Sequence, residues 1–358
     1  MMKTRRHARM ALAARLLPAL AVALPPASPA ALEAAELVEV RKIWDRAPHN
    51  AFTDLLRFQG RWLCVFREGE AHGSPDGAVR VIASGDGADW ESAALIRLTP
   101  QGFRQLKPKV LPHGSYMDLR DPKVCVTPEG RLMLTSGLTY NDRRNWQSLA
   151  WFSDDGKTWG DPALVAEPQY WLWRVTWHEG TAYGVGRIAT ERIPRLYRSR
   201  DGRRFEVVVK DADFFPHVPG PSEGTIRFLA DDTALCLLRL NRVAGSKTDH
   251  GHLGTARPPY TRWTWRDLGA RIGGPNLIAL PDGRLVAAVR LYDGKQRTAL
   301  CWIEPRAGRL REFLTLPSGG DTSYAGLVHH DGLLWVSYYS SHESKTSIYL
   351  AKVRIPRE

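Results

Sequence analysis

The feature that most restricts this chain is a unit written six times: an apolar alternating strand, a tight turn and a second strand. The copies are FTDLLRFQGRWLCVFRE, RDPKVCVTPEGRLMLTSG, WRVTWHEGTAYGVGRI, EGTIRFLADDTALCLLRL, PNLIALPDGRLVAAVRL and YAGLVHHDGLLWVSYY, with turns at Gly60, Gly130, Gly180, Asp232, Gly283 and Gly332. Spacings of roughly fifty to seventy residues leave room for two further strands per copy, the content of a four-stranded blade. Almost no stretch after Glu36 has helical periodicity, so the pattern predicts an all-β, six-bladed β-propeller spanning residues 36–355 as one domain. An unpaired alternating segment, ELVEVRKI from Glu36, stands at the start, and SIYLAKVRI near the end supplies only a third strand for the last blade. The N-terminal strand is therefore expected to close the sixth blade as its outer strand, which removes exposed edges.

Three segments share Ser-x-Asp-Gly-x-x-aromatic directly after an alternating strand: Ser84 to Trp90, Ser153 to Trp159 and Ser199 to Phe205. An Asp side chain in such a turn bonds the amides ahead of it, and the aromatic wedges under the blade. This motif is expected between the third and fourth strands, with a structural role.

Residues 1–31 read as a signal peptide, with basic MMKTRRHARM, apolar LLPALAVAL and a small-residue stretch around Ala30, which predicts a secreted or periplasmic protein. Five of the +12 net charges come from Lys3, Arg5, Arg6, Arg9 and Arg15, leaving about +7 spread without a Lys/Arg block, so nucleic acid is not an expected partner. No later apolar run reaches the ~20 residues of a membrane span. Cys64, Cys125, Cys236 and Cys301 lie inside strand segments without CxxC spacing, so buried free thiols are expected, with neither a metal site nor a cofactor.

In a propeller, inner-strand starts, second-strand ends and the loops that follow those ends share one rim. The repeats place there Asp54, Arg120, Asp121, Glu223, Asn276 and Tyr324 from inner-strand starts, Arg67, Arg187, Arg239 and Arg290 from second-strand ends, and Asp76 from the first such loop. Arginines with carboxylates and a tyrosine suit an anionic ligand and acid/base chemistry.

The three Ser-x-Asp-Gly segments resemble the Asp boxes of sialidases. Glu223 in SEGTIRF, Arg239 in CLLRL, Arg290 in AAVRL and Tyr324 in DTSYAGL resemble, in order and blade phase, the catalytic residues of that family. The resemblance implies an exo-acting, retaining glycosidase that releases a terminal acidic sugar. Tyr324 would be the nucleophile, Glu223 the base that takes its proton, Asp76 the acid/base, and Arg239 and Arg290 the clamp on the substrate carboxylate. The departure is in the first blade, where sialidases carry a further arginine and this chain has His49-Asn50-Ala51-Phe52-Thr53-Asp54; Arg67 is the candidate substitute. Two other readings remain: an enzyme acting on another acidic glycan, such as a uronide, through Asp54 or Asp121, and a glycan-binding propeller without turnover.

Overall fold

The computed structural model describes residues 34–356 except 189–192, 218–219, 243 and 245–247, so the expected signal peptide lies outside the described residues. Strand β1 (Glu36–Trp44) comes first. The first blade is β2 (His49–Phe58), β3 (Arg61–Gly69), β4 (Ala78–Ser84) and β5 (Glu91–Ile96). The second is β6 (Met117–Val126), β7 (Leu132–Tyr140), β8 (Asn145–Ser153) and β9 (Ala163–Val165). The third is β10 (Tyr170–His178), β11 (Thr181–Ile188), β12 (Pro194–Ser199) and β13 (Glu206–Lys210). The fourth is β14 (Pro221–Phe228), β15 (Ala234–Leu240), β16 (His252–Ala256) and β17 (Thr264–Asp267). The fifth is β18 (Ile272–Ala279), β19 (Leu285–Leu291), β20 (Arg297–Glu304) and β21 (Arg309–Thr315). The sixth is β22 (Thr322–His330), β23 (Leu333–Ser340) and β24 (Ser347–Arg354), completed by β1.

Among the described residues these strands form six antiparallel four-stranded sheets, and β1 pairs with β24 from Glu36 opposite Arg354 to Trp44 opposite Ile348. The chain is therefore a six-bladed β-propeller closed by its N-terminal strand. Apolar side chains of adjacent blades pack into continuous layers, such as Leu63, Val81, Leu132 and Leu134 between the first and second. All four cysteines are free, and Cys64, Cys236 and Cys301 are buried.

The three Ser-x-Asp-Gly turns share one geometry. Asp86 Oδ1 accepts from the amides of Ala88 and Asp89 at 2.8 and 3.1 Å, Asp155 Oδ1 from Lys157 and Thr158 at 2.8 and 2.7 Å, and Asp201 Oδ1 from Arg203 and Arg204 at 2.8 Å each. The glycine of each turn is left-handed, with φ of 78°, 73° and 67° at Gly87, Gly156 and Gly202, where a β-carbon would be strained.

Every inner strand carries a one-residue bulge near its start, between Ala51 and Asp54, Arg120 and Lys123, Leu172 and Val175, Pro221 and Gly224, Gly273 and Asn276, and Ser323 and Gly326. A bulge re-aims side chains and sharpens local twist. Phe52, Asp121, Gly274 and Tyr324 occupy the same bulge position with φ between 49° and 64°, so in four of the six blades the bulge turns one residue out of the pleat.

Candidate active site

Glu223 and Tyr324 come from the bulges of the fourth and sixth blades and meet. The Tyr324 hydroxyl donates to Glu223 Oε1 at 2.5 Å, and Arg239 Nη1 donates to the same oxygen at 2.6 Å. Arg239 Nη1 also lies 3.3 Å from the Tyr324 hydroxyl, while the amide of Gly274 donates to Glu223 Oε2 at 2.8 Å. Gly274 owes this reach to its left-handed φ of 54°, and a β-carbon there would stand 2.6 Å from the Tyr324 ring. Glu223 is buried, which by itself raises a carboxyl pKa, but Arg239 and then the Tyr324 and Gly274 bonds hold it below the ordinary range. Tyr324 is pushed well above the usual phenol value, by burial first and then by the Glu223 charge. At rest the pair is thus an ionised carboxylate gripping a neutral phenol, with a guanidinium beside both.

Asp121 stands at the bulge of the second blade, half-buried, with Oδ1 shut away from solvent and without a hydrogen-bond partner among the described residues. Burial raises its pKa above the ordinary aspartate range, opposed by Arg120 and Lys123 and reinforced by the Glu223 charge. Two carboxyl groups at one centre are thus pushed in opposite directions, Glu223 toward the ionised form and Asp121 toward the protonated one.

Asp76 does not join this group. Both its oxygens accept from the amide of Glu70, at 3.2 and 3.1 Å, in the loop between β3 and β4. Burial opposes ionisation, yet Ser74 and the Glu70 amide hold the Asp76 carboxyl below its ordinary value. It is a turn-forming carboxylate, and neither its bonds nor the charges acting on it come from Glu223 or Tyr324.

Arg67 does not replace the missing first-blade arginine. It is completely buried and donates to Asp118 at 2.7 Å, the Ala71 carbonyl at 2.7 Å and Ser74 at 3.0 Å, which ties the loop to the second blade. Arg187 lies over Trp146 and Trp173, 5.0 and 5.3 Å from their ring centroids. Arg120 lies 5.2 Å over the Phe52 ring, and Phe52 in turn packs edge-on against Tyr324.

Asp54 and Asn276 lie one step past the bulge, where strand direction takes them into a buried polar plug instead of the open rim. Asp54 accepts from Arg174 at 2.6 Å and from the Val124 amide at 3.0 Å. Asn276 donates to the Ala325 carbonyl at 2.9 Å and accepts from Arg227 at 3.2 Å. Lys123 donates to the Thr53 carbonyl at 3.0 Å, and burial, with Arg174 next, brings its pKa down to about 8. Its Nζ is 5.8 Å from the Tyr324 ring, so the plug reaches the site.

Arg290 reaches the same wall as Tyr324, its guanidinium 5.7 Å from that ring, and two of its three nitrogens, Nε and Nη2, are engaged by protein groups. Nε donates to the Thr322 carbonyl at 2.7 Å, and Nη2 faces Tyr339 Oη at 2.9 Å and Asp321 Oδ1 at 3.2 Å. Asp321, His49, His72 and Tyr339 were not among the residues expected from the sequence. Asp321 is visible in DTSYAGL, three positions before Tyr324, and His49 opens the first inner strand, yet neither spacing shows that the two meet.

No protein-family model matches the sequence, and no curated protein matches it. Solved structures do resemble it in fold. A Dyadobacter fermentans protein of unknown function aligns with a TM-score of 0.72 at 16% identity, over 90% of this chain and 99% of that one. Trypanosoma rangeli sialidase in complex with the inhibitor DANA aligns at 0.66 and 12%, over 86% of this chain and 55% of the larger sialidase. A Fusarium graminearum α-L-arabinofuranosidase mutant in complex with an iminosugar inhibitor aligns at 0.66 and 13%, over 89% and 98%. At such identities the likeness is one of fold: a propeller architecture that glycoside hydrolases also use.

Proposed function

We propose that this chain is an exported, retaining glycoside hydrolase that removes a terminal sugar through a glycosyl-tyrosine intermediate. The observation that carries this reading is the 2.5 Å bond from the Tyr324 hydroxyl to Glu223, with Arg239 on both. As the Tyr324 oxygen attacks the anomeric carbon, Glu223 Oε1 takes the phenol proton and the glycosidic bond breaks. Arg239 steadies the charge that develops on the tyrosine oxygen, a service worth most in a dry site. The leaving oxygen takes its proton from Asp121, which supplants Asp76 in this role because burial raises the Asp121 pKa at the Glu223 centre, whereas Asp76 is bonded to Glu70 in its own loop and its pKa is lowered. Asp121, now a carboxylate, draws a proton from water as it attacks the anomeric carbon, and Tyr324 departs with the proton that Glu223 kept.

The test is a fluorogenic panel of neutral glycosides, uronides and sialosides, followed by Asp121→Asn. Loss of a general acid slows substrates with poor leaving groups on the order of 10²–10⁴-fold and spares activated aryl glycosides. Equal slowing of both kinds, with Asp76→Asn reproducing the leaving-group dependence instead, overturns the assignment of Asp121. No turnover of any glycoside by the folded protein overturns the hydrolase reading.

A further inference from the structure

Arginines in a pocket bind a substrate anion only with donors that are available. Asp321 meets four donors: its Oδ1 faces Tyr339 Oη at 2.7 Å and Arg290 Nη2 at 3.2 Å, and its Oδ2 faces His72 Nδ1 at 2.6 Å and His49 Nε2 at 3.2 Å. A carboxylate so held is saturated and ionised. Burial works against the charge, yet the His49 and His72 bonds hold Asp321 far below the usual carboxylate range. The side chain is a quarter exposed and that of His72 more than half, so the cluster is open to solvent. It also borders the reacting centre. Phe52 packs edge-on against both His72 and Tyr324, 5.2 and 5.1 Å between ring centroids, and the Tyr339 ring is 5.9 Å from that of Tyr324. In the first blade the residue beside the bulge is Ala51, so no second guanidinium comes from there.

We propose that Asp321 is a built-in anion that occupies the guanidinium of Arg290, so that the subsite beside Tyr324 accepts an uncharged sugar and rejects one bearing a carboxylate. This rests on reading the pocket as a sugar site, and it replaces the acidic sugar expected from the sequence. An incoming carboxylate would find the Nε and Nη2 donors of Arg290 already taken, the guanidinium charge offset by Asp321, and Asp321 itself within reach to repel it. A neutral sugar meets the exposed edge of His72 there, a partner for a hydroxyl. Asp321 also keeps a negative charge on this wall, so a neutral phenol remains a better nucleophile than a second carboxylate would be.

The experiment measures binding alone, by calorimetry on the Tyr324→Phe background, with N-acetylneuraminic acid, D-glucuronic acid and D-glucose, the neutral counterpart of the second. The protein with Asp321 intact is expected to bind the neutral sugar and neither acid. Asp321→Ala is expected to tighten binding of an acid by about tenfold to a hundredfold, the span of one charge-assisted bond. Adding Arg290→Ala should abolish that gain. Asp321→Asn, which keeps the shape and removes the charge, should give part of the gain and guards against misfolding of the alanine variant, with thermal unfolding of each variant as the check. Salt-sensitive binding of either acid by the protein with Asp321 intact, or its weakening by Asp321→Asn, overturns the proposal. Because no turnover is read, failure of Tyr324 as nucleophile would not produce or hide either result.

Discussion

The Ser-x-Asp-Gly turns and the inner-strand bulges are both repeated devices, yet they carry different information. The three turns repeat backbone and side chains together, with the same bonds from Asp86, Asp155 and Asp201. The six bulges repeat the backbone irregularity only, and put Phe52, Asp121, Trp173, Ser222, Gly274 and Tyr324 at one structural position. Where every copy keeps the same side chain, its task is to fold the blade. Where the backbone recurs and the side chains diverge, the ring gathers unlike groups on one axis, and chemistry becomes available.

That contrast can be broken at several points. The largest effect is expected for Tyr324→Phe, which removes the nucleophilic oxygen and keeps the ring. Turnover should fall on the order of 10³-fold or more with little change in melting temperature. Comparable loss of melting temperature and activity would make Tyr324 a packing residue. Next comes Asp54→Ala in the plug, which strands the buried Arg174 guanidinium and should destabilise the fold by about 3–5 kcal/mol in denaturant titration. A loss below about 1 kcal/mol would show that the plug is not an ion-paired support.

The pH profile of kcat/KM sharpens the same contrast. Glu223 must be ionised, and its lowered pKa places the acid limb below the ordinary glutamate range. Asp121 must be protonated, and its raised pKa places the alkaline limb above the ordinary aspartate range. Activity should therefore be lost as pH falls through the first value and as it rises through the second, and Asp121→Asn should remove the alkaline limb. An alkaline limb unchanged in that variant assigns the acid elsewhere.

The smallest effect belongs to the turns. Asp155→Ala and Asp201→Ala should each cost about 0.5–1.5 kcal/mol through lost amide bonds and leave turnover per folded molecule unchanged. Both carboxyls are held below their ordinary value, Asp155 mainly by the Thr158 and Lys157 amides and Asp201 by the Arg204 and Arg203 amides against burial. Their contribution is thus complete above the unfolded aspartate value and disappears as pH falls through the lowered one. A stability increment from either residue that grew as pH fell would contradict this.

Most of the fold was legible because propeller strands alternate and their turns need glycine or aspartate, which survive in sequence as Gly60, Gly130, Gly180, Asp232, Gly283 and Gly332. The meeting of Glu223, Arg239 and Tyr324 was legible for the same reason, since repeat phase converts sequence position into height along the axis. Strand phase alone failed for Asp54 and Asn276, because the bulge shifts by one residue which side chains reach the rim. It also failed for Arg67, and although it brought Arg290 to the Tyr324 wall it gave no sign of the Asp321 pairing; the partners Asp118 and Asp321 come from neighbouring blades, which no spacing encodes. Asp76 lay in the expected loop, but its carboxylate turns back on the Glu70 amide, a local bond that competes with any reach toward the axis.

The central claim is that Tyr324 carries the sugar. Incubating the protein with a 2-deoxy-2-fluoro glycosyl fluoride of the sugar it cleaves should trap the intermediate, because the fluorine slows its hydrolysis more than its formation. Peptide mapping by mass spectrometry is expected to find one glycosyl adduct on Tyr324, absent from Tyr324→Phe and slower to form in Glu223→Gln. An adduct on Glu223, with Tyr324 unmodified, would contradict the account.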